Sequence, residues 1–228
     1  MVMYENVVSM EDKVFSDLCS QLREILYFAS DNYGKRLNEE IGQISDLMNV
    51  SEDLTEDAFF QIAWWAIFCS KLKLENKTIY QIYLEKNQHK LSKKSRHFQQ
   101  VLISWLHVNP GFYYVDDDES SSGRVFELTD VFEAKMRIVG MFNDIYWMPK
   151  RGELITGLLL PTSDGWYITP AGFLHIPQSL SQTVVNKLLP FYEKNLKSPN
   201  YKFNSHLYPD LLTIATQTLD EYYEKSER

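Results

Sequence analysis

The sequence predicts an α+β protein: a helical N-terminal layer over residues 1–108, a small antiparallel β-barrel-like unit over 109–177, and two C-terminal helices over 178–228. Three observations carry that expectation. On either side of the middle stretch, apolar residues recur at three- and four-residue steps, the spacing of amphipathic helices. From His107 to Pro177 the pattern changes to short apolar and aromatic runs broken by Gly, Asp and Pro, which marks strands and tight turns. No linker of Gly, Ser or Pro type separates the parts, so one compact unit is expected.

The elements follow in order. Val14, Leu18, Leu22, Ile25, Leu26 and Ala29 form one helical stripe, with Ser9 as a cap and Gly34 as a stop. Leu37, Ile41, Ile44 and Leu47 predict a second helix. The run from Ala58 to Leu72 is apolar around most of its circumference, so neighbours are expected on several sides, with Trp64 and Trp65 as core aromatics and Asn76 as the end. Thr78 with Gln81 three residues on is a capping box. Ser92 opens a further helix that Pro110 and Gly111 stop. Strands are expected at 112–115, 124–128, 135–141, 153–161, 166–169 and 173–176, with a Ser163-Asp164-Gly165 turn. Pro190 should kink or split the helix at 179–196, and a last helix spans 206–223 with Pro209 in its first turn.

Composition excludes several classes. With 228 residues, 44% hydrophobic and 14% aromatic, the chain can bury a real core. A net charge of −8 argues against broad non-specific binding to nucleic acid. Two cysteines, Cys19 and Cys69, are too few and too far apart for a disulfide scaffold or a cysteine-based zinc site. The N-terminal residues lack the pattern of a signal peptide, and no window reaches the roughly 18 apolar residues of a spanning helix, so a soluble, cytoplasmic protein without membrane contact is expected.

Four features are candidates for chemistry. The loop Asp116 to Gly123 is rich in carboxylates but lacks the pattern of an EF-hand, and reads as a solvated hairpin tip. Lys86, His89, Lys90, Lys93, Lys94, Arg96 and His97 form a basic run that reverses the sign of the chain locally and can steer an acidic partner or a phosphate chain. The five histidines show no metal-binding spacing, although His107 and His175 lie at the two ends of the β unit. No nucleophile elbow, phosphate-cradling loop or dinucleotide fingerprint is present, so no catalytic residue, metal ligand or cofactor is assigned.

Several runs also carry a family resemblance. Thr78 to Leu84, Gly111 to Val115, Arg151 to Pro161, Gly165 to Thr169 and Phe173 to Pro177 resemble, in order and spacing, a helix-plus-small-barrel module of uncharacterised bacterial proteins, over about Phe68 to Leu196. In those proteins the module commonly precedes a short cysteine-rich metal-binding tail like the one ending the SecA translocase. No cysteine follows Cys69 here, so no metal-dependent role carries over. The resemblance implies a fold and no activity.

Three functions are compatible with these residues. The first is a non-catalytic protein-interaction or adaptor protein, with Lys90, Lys93, Lys94 and Arg96 on one surface and Tyr113, Tyr114, Trp147 and Trp166 as aromatic anchors. Burial would remove any of these aromatics from that role. The second is a nucleic-acid binder that combines the β unit with the basic run at 86–97. The third is a hydrolase, which requires His107 and His175 to meet a carboxylate in one pocket.

Overall fold

The computed structural model describes residues 10–108, 110–117, 124–141, 147–196 and 204–226. It is a mixed α+β fold. The first helix, α1, runs unbroken from Met10 to Met48, where two helices divided at Gly34 were expected. Burial explains the difference. Each helical glycine costs about 1 kcal/mol relative to alanine. Continuing the helix buries Leu37, Ile41, Ile44 and Met48 on the stripe begun by Leu18, Leu22 and Ile25. Each such side chain contributes roughly 1.5–3 kcal/mol, which outweighs the glycine cost.

Helix α2 (Glu52–Phe68) is buried on all sides from Gln61 to Phe68, where Trp64 and Trp65 are core residues as expected, whereas Phe59 and Phe60 in its first half are exposed. It ends at Phe68 rather than Asn76. The chain then turns back through a Lys71–Thr78 bridge, with Asn76 at φ 51°. Helix α3 (Ile79–Lys86) opens on the expected capping box of Thr78 and Gln81. A short α4 (Gln88–Leu91) precedes α5 (Arg96–Ser104). The cap of α5 is Ser95, whose hydroxyl accepts the Phe98 N–H; Ser92, expected in that role, instead donates to the His89 carbonyl at the end of α4. A 3₁₀ turn at Trp105–His107 leads into the sheet.

Seven strands follow: β1 (Pro110–Asp117), β2 (Val125–Asp130), β3 (Met136–Gly140), β4 (Leu154–Leu158), β5 (Leu160–Pro161), β6 (Tyr167–Ile168) and β7 (Leu174–Ile176). Their order is β5-β6-β3-β2-β1-β4-β7, in a sheet curled into an open half-barrel. It is mixed, where an antiparallel barrel was expected, because β3 and β6 pair in parallel. The chain direction requires this. Only Leu159 separates β4 from β5, so one segment pairs with β1 through its first half and with β6 through its second. Five segments thus go round the curl, and an odd number cannot alternate in direction at every joint. Gly165, at φ 80°, makes the expected turn between β5 and β6.

The two faces of the sheet bury different cores. Phe112, Leu154, Leu158, Leu160, Leu174 and Ile176 join the helices in the main core. Tyr113, Val115, Phe126, Leu128, Val139, Met141, Ile155 and Leu159 form a second core inside the curl. Helix α6 (Gln178–Asn195) passes through Pro190 without splitting, and α7 (Tyr208–Ser226) packs against it with Pro209 in its first turn. Among the described residues, no helix is long and apolar enough to cross a membrane.

Candidate binding cleft at the mouth of the half-barrel

Strand alternation decides which side chains enter the curl. On β1 these are Tyr113 and Val115, and on β2 they are Phe126 and Leu128. Asp130 continues the β2 series and pairs across the ladder with Tyr113. On β3, Arg137 shares the parity of Val139, whose neighbour across the parallel joint is Tyr167. Asp130 and Arg137 therefore occupy inward positions at strand ends, where the second core gives way to an opening. That opening is a cleft of about 290 Å³. Tyr113, Asp130, Arg137, Leu159 and Tyr167 come to it from the sheet, Tyr192 from α6, and Tyr208 and Leu211 from α7. Phe132, Glu133 and Lys135 line it from the turn after β2, and His107 and Val108 from the entry to β1.

The polar groups of the cleft are held in place. The Asp130 Oδ1 accepts the N–H groups of Phe132 and Glu133, both at 2.9 Å, closing the turn that carries Ala134 at φ 50°. Burial raises the Asp130 carboxyl above its ordinary range, against those two backbone bonds. Its second oxygen has no hydrogen-bond partner among the described residues. Glu133 Oε2 receives Lys135 at 3.0 Å and Arg137 at 3.1 Å. Arg137 also donates to the Tyr167 hydroxyl at 2.9 Å. Thr156 donates to the Gly111 carbonyl, leaving its oxygen to accept the Tyr208 hydroxyl at 3.1 Å. Phe132 and Tyr192 stack with ring centroids 4.0 Å apart, joining the turn to α6. Gly111 is required by a close approach, since a Cβ there would lie 2.5 Å from the Tyr113 hydroxyl.

The residues singled out from sequence fall in different places. Tyr113 is only 3% exposed, which removes it from the exposed anchors; burial, then the neighbouring Asp130, raises its hydroxyl well above the usual range. Tyr114 is half-buried on the opposite face, against the main core. Trp147 is 84% exposed and Trp166 is 40% exposed. Lys90 pairs with Glu24 at 2.8 Å. Burial would raise the Glu24 carboxyl, but the hydrogen bond and charge of Lys90, with the Tyr83 hydroxyl, hold it below its ordinary value. Lys94 lies over the Phe98 ring at 5.4 Å. Lys93 and Arg96 are exposed, with no ion pair among the described residues. Positions 118–123 of the acidic loop lie outside the described residues; Asp116 accepts the Thr129 hydroxyl.

The two histidines of the hydrolase reading serve different places. His107 lines the cleft, whereas His175 binds Glu153 through Nδ1 at 2.9 Å and does not line it. Sequence reading missed Asp130, Glu133, Arg137, Tyr167, Tyr192 and Tyr208. Asp130 had a signal, as a charge that continues the apolar parity of Phe126 and Leu128; Arg137 had none, because its parity in the sequence also holds Lys135 and the opposite one holds Met136 and Ile138. The tyrosines of α6 and α7 had none, because only tertiary packing brings those helices to the sheet.

The fold defines a structural class, a mixed α+β protein whose curled half-barrel sheet packs against helices. Comparison of the chain with protein-family models, curated proteins and solved structures finds no match to any of the three.

Proposed function

We propose that this chain is a non-catalytic interaction or adaptor protein that takes an extended segment of a protein partner into the mouth of the half-barrel. The observation that carries the reading is the convergence of strand, turn and helix side chains on one cleft of about 290 Å³. Barrel mouths are preferred recognition sites, and a cavity of this size holds one or two side chains of a partner rather than a whole domain. Its hydroxyls, the second oxygen of Asp130 and the exposed edge of the Glu133–Arg137 pair offer directed hydrogen bonds, and its rings offer apolar area. These groups are fixed by their own internal bonds, so little ordering is needed on binding. The order of helices, curled sheet and helices is also the order that the resemblance to the bacterial helix-plus-barrel module implies, and that resemblance carries no activity.

The test is peptide-display selection on the wild-type protein, with each enriched peptide measured against His107→Trp. That change places an indole on an exposed wall of the cleft. Peptides should bind the wild type and lose at least about tenfold in affinity to the filled cleft, as hot-spot pockets do. Failure to enrich any peptide, or equal binding to both forms, overturns the reading.

A further inference from the structure

The mouth is not an isolated cavity. A second cleft of about 200 Å³ lies beside it, between His97, Gln100 and Ser104 of α5 and Thr162 and Ser163 of the β5–β6 turn. On both walls the chain leads from this cleft to the mouth. On one wall His107 follows Ser104, and on the other Pro161 precedes Thr162; His107 and Pro161 both line the mouth. Between them the buried Trp105 donates its indole N–H to the Pro161 carbonyl at 2.9 Å, which pins the walls together. The two clefts share no lining residue and this contact stands between them; end to end along the chain they mark a path, the seam, from the N-terminal end of α5 to the half-barrel.

The far end of that seam is basic. Residues 86–97 hold five Lys and Arg and no carboxylate, in a chain of net charge −8. Lys93 and Arg96, just before the seam, are exposed. We propose that the partner segment seated in the mouth continues along this seam and is acidic where it crosses the basic run. The proposal rests on the reading of the mouth given above and adds the chemistry of the partner. Individual exposed charges contribute little affinity, but a cluster sets the direction in which a chain docks and its rate of encounter. The middle of the seam is neutral, with the hydroxyls of Ser104, Thr162 and Ser163 and the Gln100 amide suited to a peptide backbone.

This gradient of charge favours a peptide over a nucleic acid. A phosphate chain is negative at every residue, and beyond the basic run it finds no net positive charge: in the mouth Lys135 and Arg137 are matched by Asp130 and Glu133. It would also find Trp166 as the one exposed large ring of the adjoining hairpin, where single-strand binders present successive stacking platforms. A peptide places its carboxylates only where they are wanted. From His97 to His107 the seam is about 16 Å at a helical rise, or roughly five residues of extended chain.

The experiment uses a display library of random peptides about twelve residues long, enough to span the seam and both ends. One enriched peptide is then measured by fluorescence anisotropy against wild type, against Lys93→Glu with Arg96→Glu, and against His107→Trp; circular dichroism checks each fold. The expected peptides carry Asp or Glu at one end, bind the charge-reversed protein at least about tenfold more weakly, and weaken steeply with salt. Enriched peptides without acidic bias, bound equally by the charge-reversed form but lost with His107→Trp, overturn the seam and leave the mouth standing. Equal binding by both variants, or no enrichment, overturns both. A labelled oligo-dT that binds more tightly than any peptide, and is lost on charge reversal, overturns the proposal in favour of nucleic acid.

Discussion

Asp130 allows the most direct test of how the cleft is held. Its Oδ1 is the acceptor for two backbone N–H groups, and burial raises its carboxyl. Asp130→Ala removes the acceptor and leaves both N–H groups without it. An unsatisfied buried donor costs about 1–3 kcal/mol, and because Phe132 and Glu133 are partly exposed, water recovers part of that; a loss of about 2 kcal/mol is expected. For a chain of this length that is a fall in melting temperature of about 4–8 °C. Asp130→Asn keeps an oxygen in the same place and removes the charge. A carboxyl with a raised folded-state pKa stabilises fully below its unfolded value, ordinarily 3.8, and that contribution is lost as pH rises through the folded value. The Asn variant should therefore lie near wild type in acid and match or exceed it at neutral pH. The Ala variant should show the same drift on top of a constant loss. Urea melts across that range read both terms. An Asn variant as unstable as Ala at neutral pH would refute the reasoning, since it would mean that the charge itself, facing Arg137, is what the turn needs.

Three further outcomes follow from the described contacts. Thr78→Ala removes one arm of the capping box, in which Thr78 Oγ1 accepts the Gln81 N–H at 3.1 Å, and leaves the other, in which Gln81 Oε1 accepts the backbone N–H of residue 78 at 2.9 Å; about 1 kcal/mol of stability should go, read as a shift in the urea midpoint. Leu159→Ala, at 4% exposure between β4 and β5, should cost about 2–5 kcal/mol, and a change below 1 kcal/mol would mean that the inner core is not packed as described. Burial pushes the Cys69 thiol up to about 12 and raises the partly exposed Cys19 as well, so iodoacetamide near pH 8 should label Cys19 slowly and Cys69 more slowly still; rapid labelling of the native protein at Cys69 would contradict its placement.

What was legible in the sequence was what depends on neighbours along the chain. The strand within 135–141, the capping box at Thr78 and the Gly165 turn each appear where local pattern puts them, although the strand turns Met136 outward and Arg137 with Val139 inward. Gly34 misled, because a helix stop is a weak local preference and the stripe from Leu18 to Met48 is a strong tertiary one. The parallel joint of β3 with β6 was hidden because it follows from how five segments count round a curl, which no window of sequence contains. The basic run was visible in composition, but Glu24, which fixes Lys90 from 66 residues away, was not. The cleft was only partly legible: Asp130 breaks the apolar parity of Phe126 and Leu128, whereas Arg137 sits at the parity of Lys135, and Tyr192 and Tyr208 read as ordinary helix residues.

The single residue between β4 and β5 also limits how this protein can vary. Because Leu154–Leu158 pairs with β1 and Leu160–Pro161 pairs with β6, the residue count of one short segment sets the register of both ladders. An insertion or deletion at Leu159 would turn every later side chain of that segment to the wrong face and draw β6 out of step with β3. Length changes among relatives should therefore collect in the turns between strands and be excluded from 154–161. For the same reason the contacts of β1 and those of β6 are set together, and the two sides of the half-barrel should be lost in one step on unfolding.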